Sequence, residues 1–194
     1  TIGRDDTEML IKAWGRASWE RVWNPQVKNR ALVFHGPQGI GKDVLLSTLT
    51  GGAGDFAISP SLQTRNEDNL WQAIKAAWFV HIEEFDRITA LDPALIKAFL
   101  DAERKTLRLP YAKEPGSYYI RASFTGSCNR LFFNDYTGAR RFICIELAGI
   151  EWSYGNTTED KMQILSQYRE LAEKRWPVTE EDKAGLRAAE EVLA

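Results

Sequence analysis

Short apolar runs alternate along this chain with longer segments in which apolar residues recur every three or four positions. The short runs predict strands that are buried on both faces, and the longer segments predict amphipathic helices. The predicted strands are Arg30–Phe34, Trp78–Ile82, Thr106–Leu109, Tyr118–Thr125 and Phe142–Leu147. Strands that alternate with helices predict an α/β fold with a central, mostly parallel sheet flanked by helices.

The predicted helices are Thr1–Val27, Lys42–Thr50, Glu67–Ala77, a segment that starts at Asp92, Asp160–Arg175 and Glu180–Leu193. We interpret the tryptophans of the first helix (Trp14, Trp19 and Trp23) as core residues rather than as a platform for stacked bases. The turn 112–117 is expected to join two strands into a hairpin. We therefore expect a helical lead-in over 1–29, a core over 30–150 and a C-terminal helical extension over 151–194.

A glycine-rich turn separates the first strand from the helix that follows it. In the pattern G-x-x-x-x-G-K between a strand and a helix, main-chain N–H groups surround a phosphate, and the lysine reaches the terminal phosphates. We therefore predict that this turn binds a nucleotide. The predicted binding residues are Gly36, Pro37, Gln38, Gly39, Ile40, Gly41, Lys42, Asp43 and Val44.

Asp43 stands where such loops normally have Ser or Thr, whose hydroxyl binds Mg²⁺. A carboxylate also binds Mg²⁺, but without a metal its charge repels the phosphates. One interpretation is a tolerated variant in a working site, since helix N-termini favour acidic side chains. The other is a site that depends strongly on metal or has lost activity.

Two carboxylates, Glu83 and Glu84, directly follow the apolar strand that ends at Ile82. Strand ends at that edge of a parallel sheet face the crevice in which ligands bind. We therefore predict that the two glutamates divide the work, with Glu83 toward the metal and the other positioning the attacking water. The alternative is a solvated acidic strand end.

Asn129 follows another predicted strand, and Arg140 and Arg141 precede the last one. The amide of Asn129 suits a γ-phosphate sensor, or else a turn residue that bonds its own backbone. An arginine at 140 or 141 suits a finger that reaches the nucleotide of an adjacent subunit, or else a partner for a surface acid.

The composition is that of a globular protein and gives no sign of a polycation or a membrane protein. The 194 residues are 44% hydrophobic and 27% charged, as in ordinary globular proteins, and the formal net charge of −2 is not that of a polycation. No apolar run reaches the ~20 residues that cross a bilayer. Two cysteines, Cys128 and Cys144, make no disulfide framework, so we expect a cytoplasmic protein without a membrane partner.

Four pieces of this sequence together resemble the virulence-associated protein E family, and more broadly the superfamily 3 helicases of viruses and mobile elements. They are Gly36-x-Gln38-Gly-x-Gly-Lys42, Ile82-Glu-Glu84, Phe124-Thr-Gly-Ser-x-Asn129 and Asp135-x-Thr-Gly-x-Arg-Arg-Phe142. The first piece is generic to many NTPases, whereas the last two are more specific. The departures are Asp43 and the pair Ser127-Cys128, where the family usually has two small hydroxylated residues.

The resemblance implies a P-loop ATPase core of the AAA+ type that forms a ring of about six copies, as in related proteins, and uses ATP and Mg²⁺ to unwind DNA. It implies that Lys42 holds the phosphates, that Glu83 and Glu84 serve metal and water, that Asn129 senses the γ-phosphate, and that Arg140 or Arg141 acts in trans. It also implies that a basic hairpin contacts single-stranded or forked DNA. The basic candidates are Lys97, Lys105, Arg108, Lys113 and Arg121, each of which is otherwise a solvated surface charge.

The favoured function is an ATP-dependent helicase or translocase that acts in the replication of a phage or genomic island. A different function is a P-loop switch or adaptor that binds nucleotide and hydrolyses it slowly or not at all. Asp43 and the negative net charge favour the switch, whereas the two glutamates and the arginine pair favour the helicase. A small-molecule kinase is less consistent with the chain, because no lid or acceptor-binding feature is visible.

Overall fold

The computed structural model describes residues 4–52, 57–58, 67–82, 98–130, 141–150, 157–177 and 179–192. The helices in these ranges are α1 (Arg4–Trp23), α2 (Lys42–Leu49), α3 (Glu67–Ala76), α4 (Thr158–Glu173) and α5 (Glu180–Val192), and residues 98–101 are also helical. The strands are β1 (Ala31–His35), β2 (Ala57–Ile58), β3 (Phe79–Ile82), β4 (Arg104–Leu107), β5 (Gly116–Tyr119), β6 (Ser123–Cys128) and β7 (Phe142–Glu146).

Five of these strands form one parallel sheet in the order β2-β3-β6-β1-β7. The central strand β1 pairs with β6 on one side and with β7 on the other, so that Leu32 lies opposite both Thr125 and Ile143. Ala31 through Phe34 are fully buried, as expected for a strand covered on both faces. The predicted α/β fold with a central parallel sheet flanked by helices is confirmed.

Helices cover both faces of this sheet. On one face, Ala31 and Val33 of β1 pack with the apolar side of α3, which includes Trp71 and Ile74. On the other face, Leu32 and Phe34 pack with apolar residues of α1, α2 and α4, and the buried residue of α5 joins the same cluster. Because α1, α4 and α5 share one core with the sheet, the two ends of the chain help to support β1 and the turn after it. None of the described helices is both long enough and apolar enough to cross a bilayer.

The tryptophans of α1 differ in their surroundings. Trp14 is buried and lies 5.7 Å from the ring centroid of Phe79, and Trp19 packs at 5.3 Å from Trp78. Trp23, however, is 72% exposed, so its interpretation as a core residue is wrong. It is the last residue of α1, and the helix ends before its ring comes under another element.

The prediction of one strand over Tyr118–Thr125 is also wrong. Its first part belongs to β5, which pairs antiparallel with β4 as the predicted hairpin, and its second part belongs to β6 of the parallel sheet. Between them, the amide of Ile120 bonds to the carbonyl of Glu103 at 2.9 Å, and that of Ser123 bonds to the carbonyl of Trp78 at 2.9 Å. The connection 120–122 contains no Gly, Pro, Asn or Asp, so no turn signal in the sequence reveals the change of pairing partner.

Arg21 of α1 is buried and ties this helix to the connections around the hairpin. Its Nε donates to the carbonyl of Ala122 at 3.0 Å, its Nη1 to Val27 at 2.6 Å and its Nη2 to Ala102 at 2.8 Å. One guanidinium therefore satisfies three main-chain acceptors that no regular ladder reaches. This arrangement holds the segment between β5 and β6 against α1.

Candidate nucleotide site

The glycine-rich turn leaves the central strand of the sheet and leads into α2. It begins after His35 and ends at Gly41, the residue before the first helical one. Gly41 has a φ of 91°, a left-handed conformation that favours glycine. A Cβ on Gly36 would lie 2.1 Å from the carbonyl oxygen of Leu147. The turn therefore requires glycine at both ends. At Gly36 only glycine fits beside Leu147, and at Gly41 only glycine readily adopts the left-handed backbone.

Lys42 is 7% exposed, and its ammonium group folds back over this turn. It donates to the carbonyl oxygens of Gly36 at 2.9 Å and Pro37 at 2.8 Å, and to the amide oxygen of Asn129 at 3.2 Å. All three partners are neutral, and no described carboxylate forms an ion pair with this ammonium. The turn thus carries a buried positive charge beside the N-terminus of α2, an arrangement that attracts anions.

Asn129 directly follows β6, the strand next to β1. Because the strands are parallel, the end of β6 and the turn after β1 lie at the same edge of the sheet, where His35 is opposite Cys128. The amide of Asn129 therefore reaches Lys42. The structure brings these two predicted site residues together.

Asp43 also has protein partners. Its Oδ1 lies 3.3 Å from Nε2 of His81, a residue of β3, and the other ring nitrogen of His81 lies 3.1 Å from the hydroxyl of Thr125. The hydrogen bond to His81 is the main cause that lowers the pKa of Asp43. Burial opposes this effect, and the Ser127 hydroxyl and the nearby charges add to it. The carboxylate is therefore ionised at neutral pH.

His81 is a site residue without a predicted role. It lies in the predicted strand Trp78–Ile82 and is the one polar side chain in that run. In the sheet it is opposite Thr125, and its side chain is only 14% exposed. A polar residue inside a buried strand, at the edge where the phosphate turn lies, is the signal that points to it.

The carboxylate of Asp43 is the described group that fits a magnesium ion beside this turn. Its side chain is 62% exposed, and Mg²⁺ in nucleotide sites commonly uses one or two carboxylates together with phosphate oxygens and water. No group of three or more potential ligands occurs among the residues that the structure describes. A cation here would therefore depend on the nucleotide for several of its ligands.

Four predicted site residues, Glu83, Glu84, Lys97 and Arg140, lie outside the described residues. Arg141 is described, and it lies at the start of β7, where its carbonyl accepts from the amide of Ala31 at 2.8 Å. This is the opposite end of β1 from the phosphate turn, about 13 Å away along the strand. Its guanidinium binds Asp101 through Nε at 2.9 Å and Nη2 at 2.7 Å. The structure does not bring Arg141 to the turn of its own chain.

The basic residues around the hairpin differ in what they contact. The Nζ atom of Lys105 lies 3.2 Å from Oε1 of Glu67 and 4.5 Å from the ring centroid of Trp71. Arg121 donates to the carbonyl of Val22 and lies over the ring of Tyr119. Arg108 is exposed and donates to Ala112 at 3.2 Å, within the loop that joins β4 to β5.

The loop between β4 and β5 presents Lys113 as an exposed side chain. It also presents Tyr111, which is fully exposed and has a positive φ of 65°. An exposed aromatic ring beside two basic residues suits contact with unpaired bases. Tyr111 is not among the predicted site residues. Its position directly before the predicted turn 112–117, and two residues before Lys113, is the sequence signal that points to it.

Two solved structures of one protein, each with a TM-score of 0.50, support the fold. The apo C-terminal region of NrS-1 (residues 305–718, A form) matches with a TM-score of 0.50 and 17% identity, over 97% of this chain and 51% of that one. A second apo A form of the same region matches with a TM-score of 0.50 and 18% identity, over 99% and 52%. JCV helicase in complex with a thiazolopyridine compound matches with a TM-score of 0.44 and 15% identity, over 94% and 61%. The chain thus spans about half the length of the NrS-1 fragments that it matches.

No curated protein matches this chain. A family model does: that of the virulence-associated protein E-like domain, which covers residues 2–192. This match extends over nearly all of the sequence, including the phosphate turn, Asn129 and both terminal helices, and it confirms the resemblance based on the four sequence pieces. The chain therefore belongs to the family of virulence-associated protein E-like domains.

Proposed function

We propose that this chain is the ATPase core of a DNA helicase or translocase of the superfamily 3 type, which acts in the replication of a phage or genomic island. The observation that carries the proposal is the position of the Lys42 ammonium, held between two carbonyls of the glycine-rich turn and the amide of Asn129. A charged group at the end of the central strand, with a polar sensor from the next strand, is what nucleotide-dependent switching requires.

In this proposal the amides of residues 36–44 and the ammonium of Lys42 bind the phosphates of ATP. Asp43 and Glu83 hold Mg²⁺, which neutralises charge that develops on the phosphates when it is bound. Glu84 orients the attacking water and accepts its proton, and Asn129 donates from its amide NH2 group to the γ-phosphate while its amide oxygen accepts from Lys42. The amide oxygen of Asn129 lies 3.2 Å from the ammonium of Lys42, which supports a position for Asn129 beside the bound phosphates.

The remaining roles involve other molecules. Arg140 or Arg141 reaches the nucleotide of an adjacent copy in a hexameric ring that assembles in the cytoplasm. The position of Arg141 at the far end of β1 supports a role in trans rather than in its own site. The loop between β4 and β5 contacts single-stranded or forked DNA through Arg108, Tyr111 and Lys113, whose side chains are exposed.

ATP hydrolysis by the purified chain, measured with and without single-stranded DNA, tests this proposal. We expect hydrolysis that DNA stimulates, an assembly larger than a dimer by light scattering, and loss of both binding and hydrolysis in Lys42→Ala. Lys174→Ala is the matched control, because Lys174 is exposed and pairs only with Glu170 of the same helix in the described structure. A chain that neither binds nor hydrolyses ATP under any of these conditions would contradict the proposal.

The second candidate is a nucleotide-dependent switch without unwinding activity. It is supported by the contact of Asp43 with His81, which occupies the carboxylate, and by the three protein partners of Lys42. Tight binding of ATP without hydrolysis, in the presence or absence of DNA, would favour this switch over the helicase. Stimulation of hydrolysis by DNA would exclude it.

A further inference from the structure

Two potential metal ligands, one carboxylate and one imidazole, meet at the start of α2. Oδ1 of Asp43 and Nε2 of His81 are 3.3 Å apart, a separation just beyond the usual range for an N–H···O hydrogen bond. Two ligands that bind one cation at ~2.1 Å each and lie this far apart subtend about 100° at the metal, which suits tetrahedral or octahedral coordination. The two atoms are therefore spaced as a ligand pair.

The imidazole of His81 is also oriented for coordination. Its Nδ1 lies 3.1 Å from the hydroxyl of Thr125, on the neighbouring strand β6. Without a cation, Nε2–H donates to Asp43 and Nδ1 accepts from the hydroxyl of Thr125. When a cation binds between the two residues, the ring proton is on Nδ1, which donates to the oxygen of Thr125, and the lone pair of Nε2 faces the cation. A hydrogen bond from the second ring nitrogen is the feature that fixes the tautomer and direction of most histidine ligands.

We infer that Asp43 and His81 together bind a divalent cation at the phosphate turn, through one oxygen and one nitrogen ligand. This inference rests on the proposed function, since phosphate oxygens of the nucleotide complete the coordination. Imidazole is a good ligand for first-row transition metals, whereas Mg²⁺ prefers oxygen ligands only. The site therefore prefers Mn²⁺ to Mg²⁺ more strongly than a site with a serine or threonine hydroxyl and phosphate oxygens alone.

The test uses Mn²⁺ as the probe and the full chain labelled with ¹⁵N-histidine. We expect pulsed electron paramagnetic resonance to detect coupling between bound Mn²⁺ and ¹⁵N when a non-hydrolysable ATP analogue is present. The chain has two histidines, so His35→Gln is the matched control and keeps the coupling, whereas His81→Gln loses it. Competition by Mg²⁺ should show a preference for Mn²⁺ that falls about tenfold in His81→Gln.

Bound Mn²⁺ without ¹⁵N coupling in the unchanged chain would overturn the inference and leave His81 as a hydrogen-bond donor to Asp43. Retention of the metal preference in His81→Gln would overturn it as well. The coupling is measured on the unchanged chain, so the result stands even if a variant fails to fold, and His81→Asn provides a second substitution. ATP binding measured separately distinguishes the failures: a chain that binds ATP without ¹⁵N coupling contradicts only this inference, and one that binds no ATP contradicts the proposed function.

Discussion

The ammonium of Lys42 lies 3.2 Å from the amide oxygen of Asn129 and links the phosphate turn after β1 to the end of β6. The two residues are far apart in the sequence, and the parallel pairing of β1 with β6 is what brings them together. Asn129 is therefore placed to respond to any ligand that changes the position of Lys42. This contact provides the most direct test of the site.

Replacement of Asn129 by alanine should affect hydrolysis more than binding. Lys42 keeps its two carbonyl partners, so we expect nucleotide affinity to change less than about tenfold, whereas loss of a polar contact to the reacting phosphate lowers the hydrolysis rate by about 100-fold. Fluorescent ATP titration and phosphate release measure the two effects. Equal losses of affinity and rate, or no loss of either, would be inconsistent with a sensor.

Replacement of Arg21 by methionine should destabilise the fold. The variant leaves three buried or partly buried carbonyls without their donor, so we expect the free energy of unfolding to fall by about 3 kcal/mol or more. Arg21→Lys should recover little, because an ammonium cannot reproduce the guanidinium geometry. Urea unfolding followed by tryptophan fluorescence measures both.

The control for Arg21 is Arg169→Met, since Arg169 is exposed on α4 and pairs with Glu173 one turn away. Such a pair contributes about 0.5 kcal/mol at most. A loss of less than 1 kcal/mol in Arg21→Met, similar to that of the control, would show that water satisfies the three carbonyls.

The thiol of Cys144 should be unreactive in the native protein. Burial, with a smaller effect of the neighbouring Cys128, raises its pKa from 9.0 to about 12. At pH 8 the thiolate fraction is therefore on the order of 10⁻⁴, and attack on a thiol reagent requires the thiolate. Labelling by iodoacetamide, located by mass spectrometry, should modify Cys144 only after denaturant is added.

The same shift predicts a dependence of stability on pH. A folded-state pKa above the unfolded value means that the folded protein retains the proton more strongly. The contribution of Cys144 is therefore complete below pH 9.0 and is lost progressively as the pH rises toward about 12. Cys144→Ser should show a smaller loss of stability over that range. If the free energy of unfolding depends on pH in the same way in Cys144→Ser as in the unchanged chain, the thiol titrates normally.

Replacement of Tyr111 or Lys113 by alanine should weaken binding to single-stranded DNA. Stacking of a base on an exposed aromatic ring contributes about 1–3 kcal/mol, and loss of one phosphate contact lowers the salt dependence by a slope of about 0.7. Fluorescence anisotropy at several salt concentrations measures both quantities.

Lys105→Ala is the matched control for the loop, because the ammonium of Lys105 is already bound to Glu67 and lies over Trp71. We expect it to change DNA affinity less than Lys113→Ala. Equal effects of the two lysine variants would argue that the loop has no special part in binding.

The parallel sheet and the glycine-rich turn after β1 were predictable from the sequence because they depend on local features. A continuous apolar run such as Ala31–Phe34 requires burial on both faces wherever it occurs, and Gly36 and Gly41 are needed for close packing and a left-handed backbone. The position of Asn129 at the sheet edge follows from the end of β6, although the predicted bounds of that strand were wrong.

The partners of individual side chains were decided only by the tertiary structure. Neither the pairing of Asp43 with His81, nor that of Arg141 with Asp101, follows from spacing in the sequence, because each joins elements whose relative register depends on the packing of the whole sheet. For the same reason the sequence pattern did not show where the chain leaves the hairpin at Ile120 and enters the sheet at Ser123. Local patterns determine which segments are buried, whereas contacts between distant segments determine what each polar side chain in the site can do.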